Sequence, residues 1–403
     1  MTQNAFTAPP FKRTRIVGID LARSIAILLA MASHVWVVAY LGEFYRGAWV
    51  TALRVAMASA TPTFIVLFGT MLEIVYLPRF GPGARRATST RLLSRAAQCW
   101  LLYCLSVVVL FLTRDDYSAK FSIATILMLG VTPFTDILKF YVVVLAIAPI
   151  LIWARQRFGL VALTVGAIAI HLLYPLFISL PTPAGSNMPI EVGRLWKFLF
   201  GLGEAQLGGP SIMRGITLVL AGMVIGKFLI GPNKAQPRSE DIRHKATLLL
   251  LGAGIPVSLL FIMLDHETVR SLGNLSLRIA EHPLYFLVGV LCASVLTAAS
   301  VLLTTAVWTD REWRVLAFFG RTSLFTFAFG NILLYCVVIK PQSSGSALGL
   351  ATALMIAIIA LSFWFDWAMR KIGWLASIVN GTQRIITSLC EELYGRFTTT
   401  SAS

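Results

Sequence analysis

Ten apolar runs, each near the length of a bilayer-spanning helix, recur along this chain at approximately 17–41, 52–77, 96–113, 134–153, 159–180, 212–231, 247–264, 283–306, 315–340 and 347–369. A hydrocarbon core of ~30 Å takes roughly 20 helical residues at ~1.5 Å each. The expectation is therefore an all-α, polytopic integral membrane protein with about ten transmembrane helices, forming one domain over residues 1–403. A charged fraction of 13% agrees with this, being about half that of a soluble domain.

The net charge of +16 invites a nucleic-acid reading. The basic residues are instead scattered into short connections between apolar spans, which the positive-inside rule explains better. With the N-terminus inside, the inner segments hold Lys12, Arg13 and Arg15, then Arg79, Arg85, Arg86, Arg91 and Arg95, then Arg155 and Arg157. Further inner residues are Lys227, Lys234, Arg238, Arg243, Lys245, Arg311, Arg314, Arg370, Lys371, Arg384 and Arg396. The outer segments carry fewer, offset by Asp115, Asp116, Glu191, Asp265 and Glu267. Residues 1–16 and the tail 370–403 are thus expected in the cytoplasm. The tail reads as an amphipathic surface segment. No cleavable signal peptide is expected, since the first apolar run is long, follows three cations and contains charges itself.

That first run carries the sharpest signal. Asp20, Arg23 and His34 sit where a plain anchor would hold no ionisable group, and intramembrane charge is a functional hypothesis by default. At ~100° per residue, Arg23, Ile27, Ala30 or Met31, and His34 share one stripe. Arg23 and His34 lie roughly 16 Å apart along the axis at ~1.5 Å per residue. Imidazole is suited to take a proton from a hydroxyl. Arg23 is a fork-shaped, permanent cation suited to phosphate. Asp20 either pairs with Arg23 one turn on or orients it.

Other spans add buried polarity. Asp136 and Lys139 open the fourth, one turn apart on His34's side, as a structural pair or as part of the site. Glu281 and His282 precede Pro283 at the eighth, where Pro is an ordinary helix starter and Glu281 a favourable N-terminal charge. The ninth carries Arg321, level with Arg23, and Asn331. Lys139, Glu281, His282 and Asn331 are the candidates for an outer, acceptor-facing site. His171 reads as a buried histidine bonded to a carbonyl, and His244 and His266 as loop residues without a role. Cys99, Cys104, Cys292, Cys336 and Cys390 show neither metal-ligand nor disulfide spacing. The apolar stretches 121–131 and 194–208 are too short to span and read as interfacial or re-entrant pieces.

Several of these pieces together resemble the membrane acyltransferase-3 superfamily, and within it the OpgC type. They are Asp20-x-x-Arg23 with His34 beyond, Thr61-Pro62-Thr63-Phe64 through Phe68-Gly69, the basic loop Arg85-Arg86 to Arg91 and Arg95, Thr135-Asp136 to Lys139-Phe140-Tyr141, and Gly320-Arg321-x-Ser323-Leu324. One departure is Arg23-Ser24, where the family usually has Arg-Gly. The resemblance implies a bacterial inner-membrane enzyme that O-acylates a periplasmic glucan or other envelope glycan. Acyl-CoA, succinyl-CoA first, would be its cytoplasmic donor, and no cofactor would be permanently bound. Arg23, Arg321 and Arg15 would bind the donor phosphates. His34, with Asp136 and Asp20, would carry catalysis, His34 either deprotonating the acceptor or briefly carrying the acyl group. No metal is expected, and a homo-oligomer is left open. A sugar N-acetyltransferase of the heparan-glucosaminide type is the alternative. From other classes, a proton-coupled transporter or exporter would use Asp20, Asp136, Lys139 and His171 as a relay, and a scaffold subunit would tolerate loss of His34.

Overall fold

The computed structural model describes residues 16–81, 83–180, 190–203, 209–230, 239–306 and 317–400, and among these the chain is helical with no strand. The helices are α1 (Val17–Val38), α2 (Leu41–Phe44), α3 (Ala48–Ala58), α4 (Ala60–Met71), α5 (Arg85–Thr113), α6 (Ala119–Ile126), α7 (Asp136–Leu172), α8 (Tyr174–Ser179) and α9 (Ile190–Phe200). There follow α10 (Ile212–Ile230), α11 (Ser239–Met263), α12 (His266–Gly273), α13 (Ser276–Ile279), α14 (Pro283–Ala306), α15 (Phe318–Arg321), α16 (Ser323–Tyr335), α17 (Ser344–Lys371) and α18 (Gly373–Thr400).

Eight of these stretches are long and apolar enough to cross a membrane: α1, Ala48–Arg79, α5, α7, α10, Glu240–Met263, Pro283–Thr305 and α17. The chain is a multi-pass membrane protein. Large apolar side chains point outward, among them Val161, Val165 and Leu172 on α7 and Ile255, Ile262 and Met263 on α11. Asp20, Asp136, Lys139, Arg214, Glu281 and Asn331 are buried inward, as a lipid-facing bundle requires.

Helix α7 joins the expected fourth and fifth spans. Gly159 breaks it, with φ 81° and ψ 165°, a conformation that Cβ-bearing residues rarely adopt. Three contacts with the α10 side show that the chain doubles back there. Phe140 packs at Gly215, Arg155 pairs with Glu73 beside Gly226, and His171 returns to Thr217 at 2.8 Å. The His171 partner is thus a hydroxyl rather than a carbonyl.

Three other expectations are corrected. The basic stretch 85–95 is the first part of α5, not a loop, because hydropathy marks only the lipid-buried part of a helix. The ninth apolar run is broken near Thr322 into α15 and α16, each shorter than a span. His244 and His266 lie in α11 and α12 rather than in loops.

Helix α1 is the axis of the bundle and packs against α4, α14, α15 and α16. Helix α10 packs on α4 and α7, and Thr70 on α4 donates across to the Gly222 carbonyl at 3.0 Å. Helix α18 lies along α5, with Ser94 bonded to Thr387 and Arg86 to the Glu391 carbonyl.

Candidate active site

A cavity of about 1850 Å³ runs beside α1 and is lined by Asp20, Arg23, Ile27, Ala30 and His34. That is the stripe set by the helical repeat, with Ala30 in the cavity and Met31 buried in a separate core cluster.

At the Asp20 end, Arg23, Arg79, Arg91, Arg95, Arg155, Lys227 and Arg321 line the cavity, and the only lining carboxylates among the described residues are Asp20 and Glu73. Glu73 lies in a π-helical stretch, Leu72–Tyr76, and is gripped by Arg155 through Nε at 3.1 Å and Nη2 at 2.8 Å. Such wide turns recur at functional sites. The remaining excess of cations gives this mouth a charge that suits a polyanion.

Arg23 and Arg321 reach the mouth from helices far apart in sequence. A Cβ on Gly320 would lie 2.2 Å from the Asp20 carbonyl oxygen, so only glycine lets α15 approach α1 this closely. The Gly320 N–H donates to Ser24 Oγ at 2.6 Å, and that hydroxyl donates to the Asp20 carbonyl at 3.0 Å. Arg23 Nη1 donates to the Gly320 carbonyl at 3.4 Å. Ser24, where the resemblance leads one to expect glycine, thus serves as a hydrogen-bonded stitch between the two helices. The Asp20 carboxylate is close enough to act on the Arg23 charge. Arg15 lies outside the described residues.

At the other end His34 is held on three sides. Its Nδ1–H donates to Asn331 Oδ1 at 2.7 Å. Asn331 is fully buried and its Nδ2 donates to the Phe327 carbonyl at 2.8 Å, which turns Oδ1 toward the imidazole. An acceptor facing Nδ1 fixes the proton there and leaves Nε2 with its lone pair. Phe134 stacks on the imidazole at 4.7 Å, and Phe327 meets it edge-on at 5.7 Å.

Asp136 and Lys139 lie beside the cavity without lining it. Asp136 Oδ1 accepts from the N–H and Oγ1 of Thr132, both at 2.9 Å, and so ties the turn that carries Phe134. Phe134 in turn stacks on Tyr335 at 5.8 Å and donates its N–H to the tyrosine oxygen at 3.3 Å. Asp136 therefore supports the wall of His34 from behind. Lys139 donates to the Gly130 carbonyl at 3.0 Å and lies over the Phe198 ring.

Glu281 and His282 also lie off the cavity. Glu281 accepts from Ser211 N–H at 2.9 Å and Ser211 Oγ at 2.8 Å, and faces Arg214 at 3.9 Å with both side chains fully buried. Burial pushes the Glu281 carboxyl up from its usual range, against the pull of Ser211 and Arg214. His282 Nδ1 accepts from the Leu284 N–H at 3.2 Å, and burial lowers its pKa.

The structure thus brings together Asp20, Arg23, Arg321, His34 and Asn331 around one cavity and keeps Asp136, Lys139, Glu281 and His282 outside it. Sequence reasoning missed Arg278, which lines the cavity and lies within electrostatic reach of His34. Its only sequence signal is a cation in an outer segment otherwise offset by acids.

Residues 15–207 match the family model described as OpgC protein. The matched stretch, a little under half of the chain, includes Asp20, Arg23, His34, Asp136 and Lys139 and stops before Arg278, Arg321 and Asn331. No curated protein sequence matches the chain.

Proposed function

We propose, taking the OpgC family match as the premise, that this chain is a membrane O-acyltransferase. It moves an acyl group, succinyl first, from cytoplasmic acyl-CoA to a hydroxyl of a periplasmic glucan or related envelope glycan. The observation that carries the reading is the single cavity joining a strongly basic mouth to the His34–Asn331 pair. A plain anchor or scaffold needs neither, and the shape suits a long donor with phosphates at one end and a thioester at the other.

In this reading the chain lies in the bacterial inner membrane as one domain with both ends in the cytoplasm. Ten crossings result when the two arms of α7 and the broken α15–α16 run are each counted. The mouth faces the cytoplasm. Arg23 and Arg321 hold the donor phosphates, and the thioester lies beside His34. No cofactor is retained between turnovers.

The acceptor hydroxyl enters from the His34 side and gives its proton to Nε2 as its oxygen attacks the thioester carbonyl carbon. Asn331 Oδ1 keeps hold of Nδ1–H and stabilises the imidazolium. The tetrahedral adduct collapses, the C–S bond breaks, and the CoA sulfur takes the proton from Nε2. An ester and free CoA result, with His34 restored. Asp20 acts by holding Arg23, and Asp136 by holding Phe134.

The test uses full-length protein in detergent with succinyl-CoA and a glucan. The wild type is expected to release CoA thiol and form a glucan ester. His34→Ala is expected to lower turnover by about 10²–10⁴-fold, the usual worth of a general base, while keeping its monodisperse elution. No CoA release from the wild type with any acyl-CoA overturns the reading and favours a transporter. Full turnover in His34→Ala rejects the assigned base.

A further inference from the structure

Among the described residues Arg278 is the one cation lining the His34 end of the cavity, and it is held there by a shaped segment. It sits in the single-turn helix α13, between two non-glycine residues in left-handed backbone, Leu275 at φ 68° and Glu281 at φ 54°. Such conformations cost energy and persist only where the surroundings enforce them. Here Glu281 is enforced by two hydrogen bonds from Ser211. Leu275 and Arg278 both face the cavity.

No carboxylate among the described residues pairs with the Arg278 guanidinium. Among the described residues its side chain makes no hydrogen bond or ion pair, and Nε is buried without a partner. Two other largely buried arginines each face a carboxylate. Arg155 has Glu73, and Arg214 faces Glu281. Both lining carboxylates belong to the opposite end of the cavity. A partly buried cation is costly unless an anion meets it.

Resting on the acyltransferase reading above, we infer that Arg278 receives the free carboxylate of a dicarboxylic acyl group. It thereby selects succinyl-type donors over uncharged acyl groups of the same length. The thioester carbon lies at His34 during transfer, so the distal carboxylate of a four-carbon diacid can extend only a few bonds from it. Arg278, within electrostatic reach of the imidazole, is the cation placed to meet it. An anionic acceptor is the other source of such a charge, and the experiment separates the two.

Full-length wild type, Arg278→Met and Arg278→Lys are assayed for CoA release from succinyl-CoA and butyryl-CoA, with an uncharged glucan as acceptor. The wild type is expected to favour succinyl-CoA. Arg278→Met is expected to lower the succinyl-to-butyryl ratio of kcat/KM by about 10- to 100-fold, the worth of one charged hydrogen-bonded contact. Arg278→Lys should fall between, and CoA itself should bind all three proteins equally, which reports an intact fold. An unchanged ratio, or an equal fall with both donors, overturns the inference while leaving the acyltransferase reading in place. A wild type that releases CoA from neither donor overturns both.

Discussion

His34 Nδ1 lies 2.7 Å from Asn331 Oδ1, a contact between residues 297 apart in sequence. The bond to the Phe327 carbonyl prevents the Asn331 amide from turning over without loss. One buried amide therefore sets the tautomer of the proposed base. Asn331→Ala frees the imidazole to protonate on either nitrogen. The expected result is a fall in kcat of about 10²-fold, a moderate share of what a general base supplies, with KM for the donor nearly unchanged. Steady-state kinetics with varied acyl-CoA checks the split. A rise in donor KM with kcat intact would instead place Asn331 in binding.

The α1–α15 contact makes a second prediction. Gly320→Ala puts a Cβ against the Asp20 carbonyl, at 2.2 Å before relaxation. Overpacking of this kind costs about 1–3 kcal/mol. Ser24→Ala leaves the Gly320 N–H buried without its acceptor, at about 1–3 kcal/mol. Both variants should melt earlier in detergent, and both should raise donor KM because they displace Arg23 and Arg321 together. Thermal unfolding followed by tryptophan fluorescence, alongside donor kinetics, measures the two effects.

Arg23→Ala and Arg321→Ala are each expected to weaken acyl-CoA binding by about tenfold or more, as loss of a charged hydrogen-bonded contact implies. The same losses should appear with CoA alone, because the phosphates rather than the acyl group are held there. Binding should weaken with rising salt, since the mouth is a cluster of cations. Titration calorimetry with CoA at two salt concentrations checks both statements. Unchanged affinity in both variants would reject the phosphate role.

Gly159→Ala tests the doubling-back of α7. Nothing lies within 4 Å of the added Cβ, so the cost is conformational alone. A residue bearing a Cβ at positive φ with ψ near 165° costs about 1–3 kcal/mol. A modest drop in melting temperature with unchanged turnover is expected. A loss of activity without a drop in stability would show that the break positions the site.

The stripe on α1 was legible because charge is conspicuous in an apolar run and the helical repeat places Asp20, Arg23, Ile27, Ala30 and His34 together. Arg321 could be read as level with Arg23 from topology alone. The roles of Asp136 and Glu281 were not legible, because a buried carboxylate that ties a turn and one that does chemistry look alike in sequence. Their hydrogen bonds to Thr132 and Ser211 tell them apart. Asn331 was visible as a polar residue in the ninth run, but its bond to His34 depends on how α16 crosses α1. Arg278 was hidden for a different reason. Its place in the cavity comes from two left-handed residues in a loop whose sequence, Leu275 to Glu281, contains no glycine to announce them.

The central claim is that one cavity presents the donor's phosphates to Arg23 and Arg321 and its acyl carbon to His34. A structure of the full-length protein with a non-transferable succinyl-CoA analogue tests it most directly. The expected density has phosphates against Arg23 and Arg321, the pantetheine arm along Ile27 and Ala30, and the acyl carbonyl carbon beside His34 Nε2. An analogue bound outside the cavity, or one whose acyl end lies at the basic mouth away from His34, would contradict it.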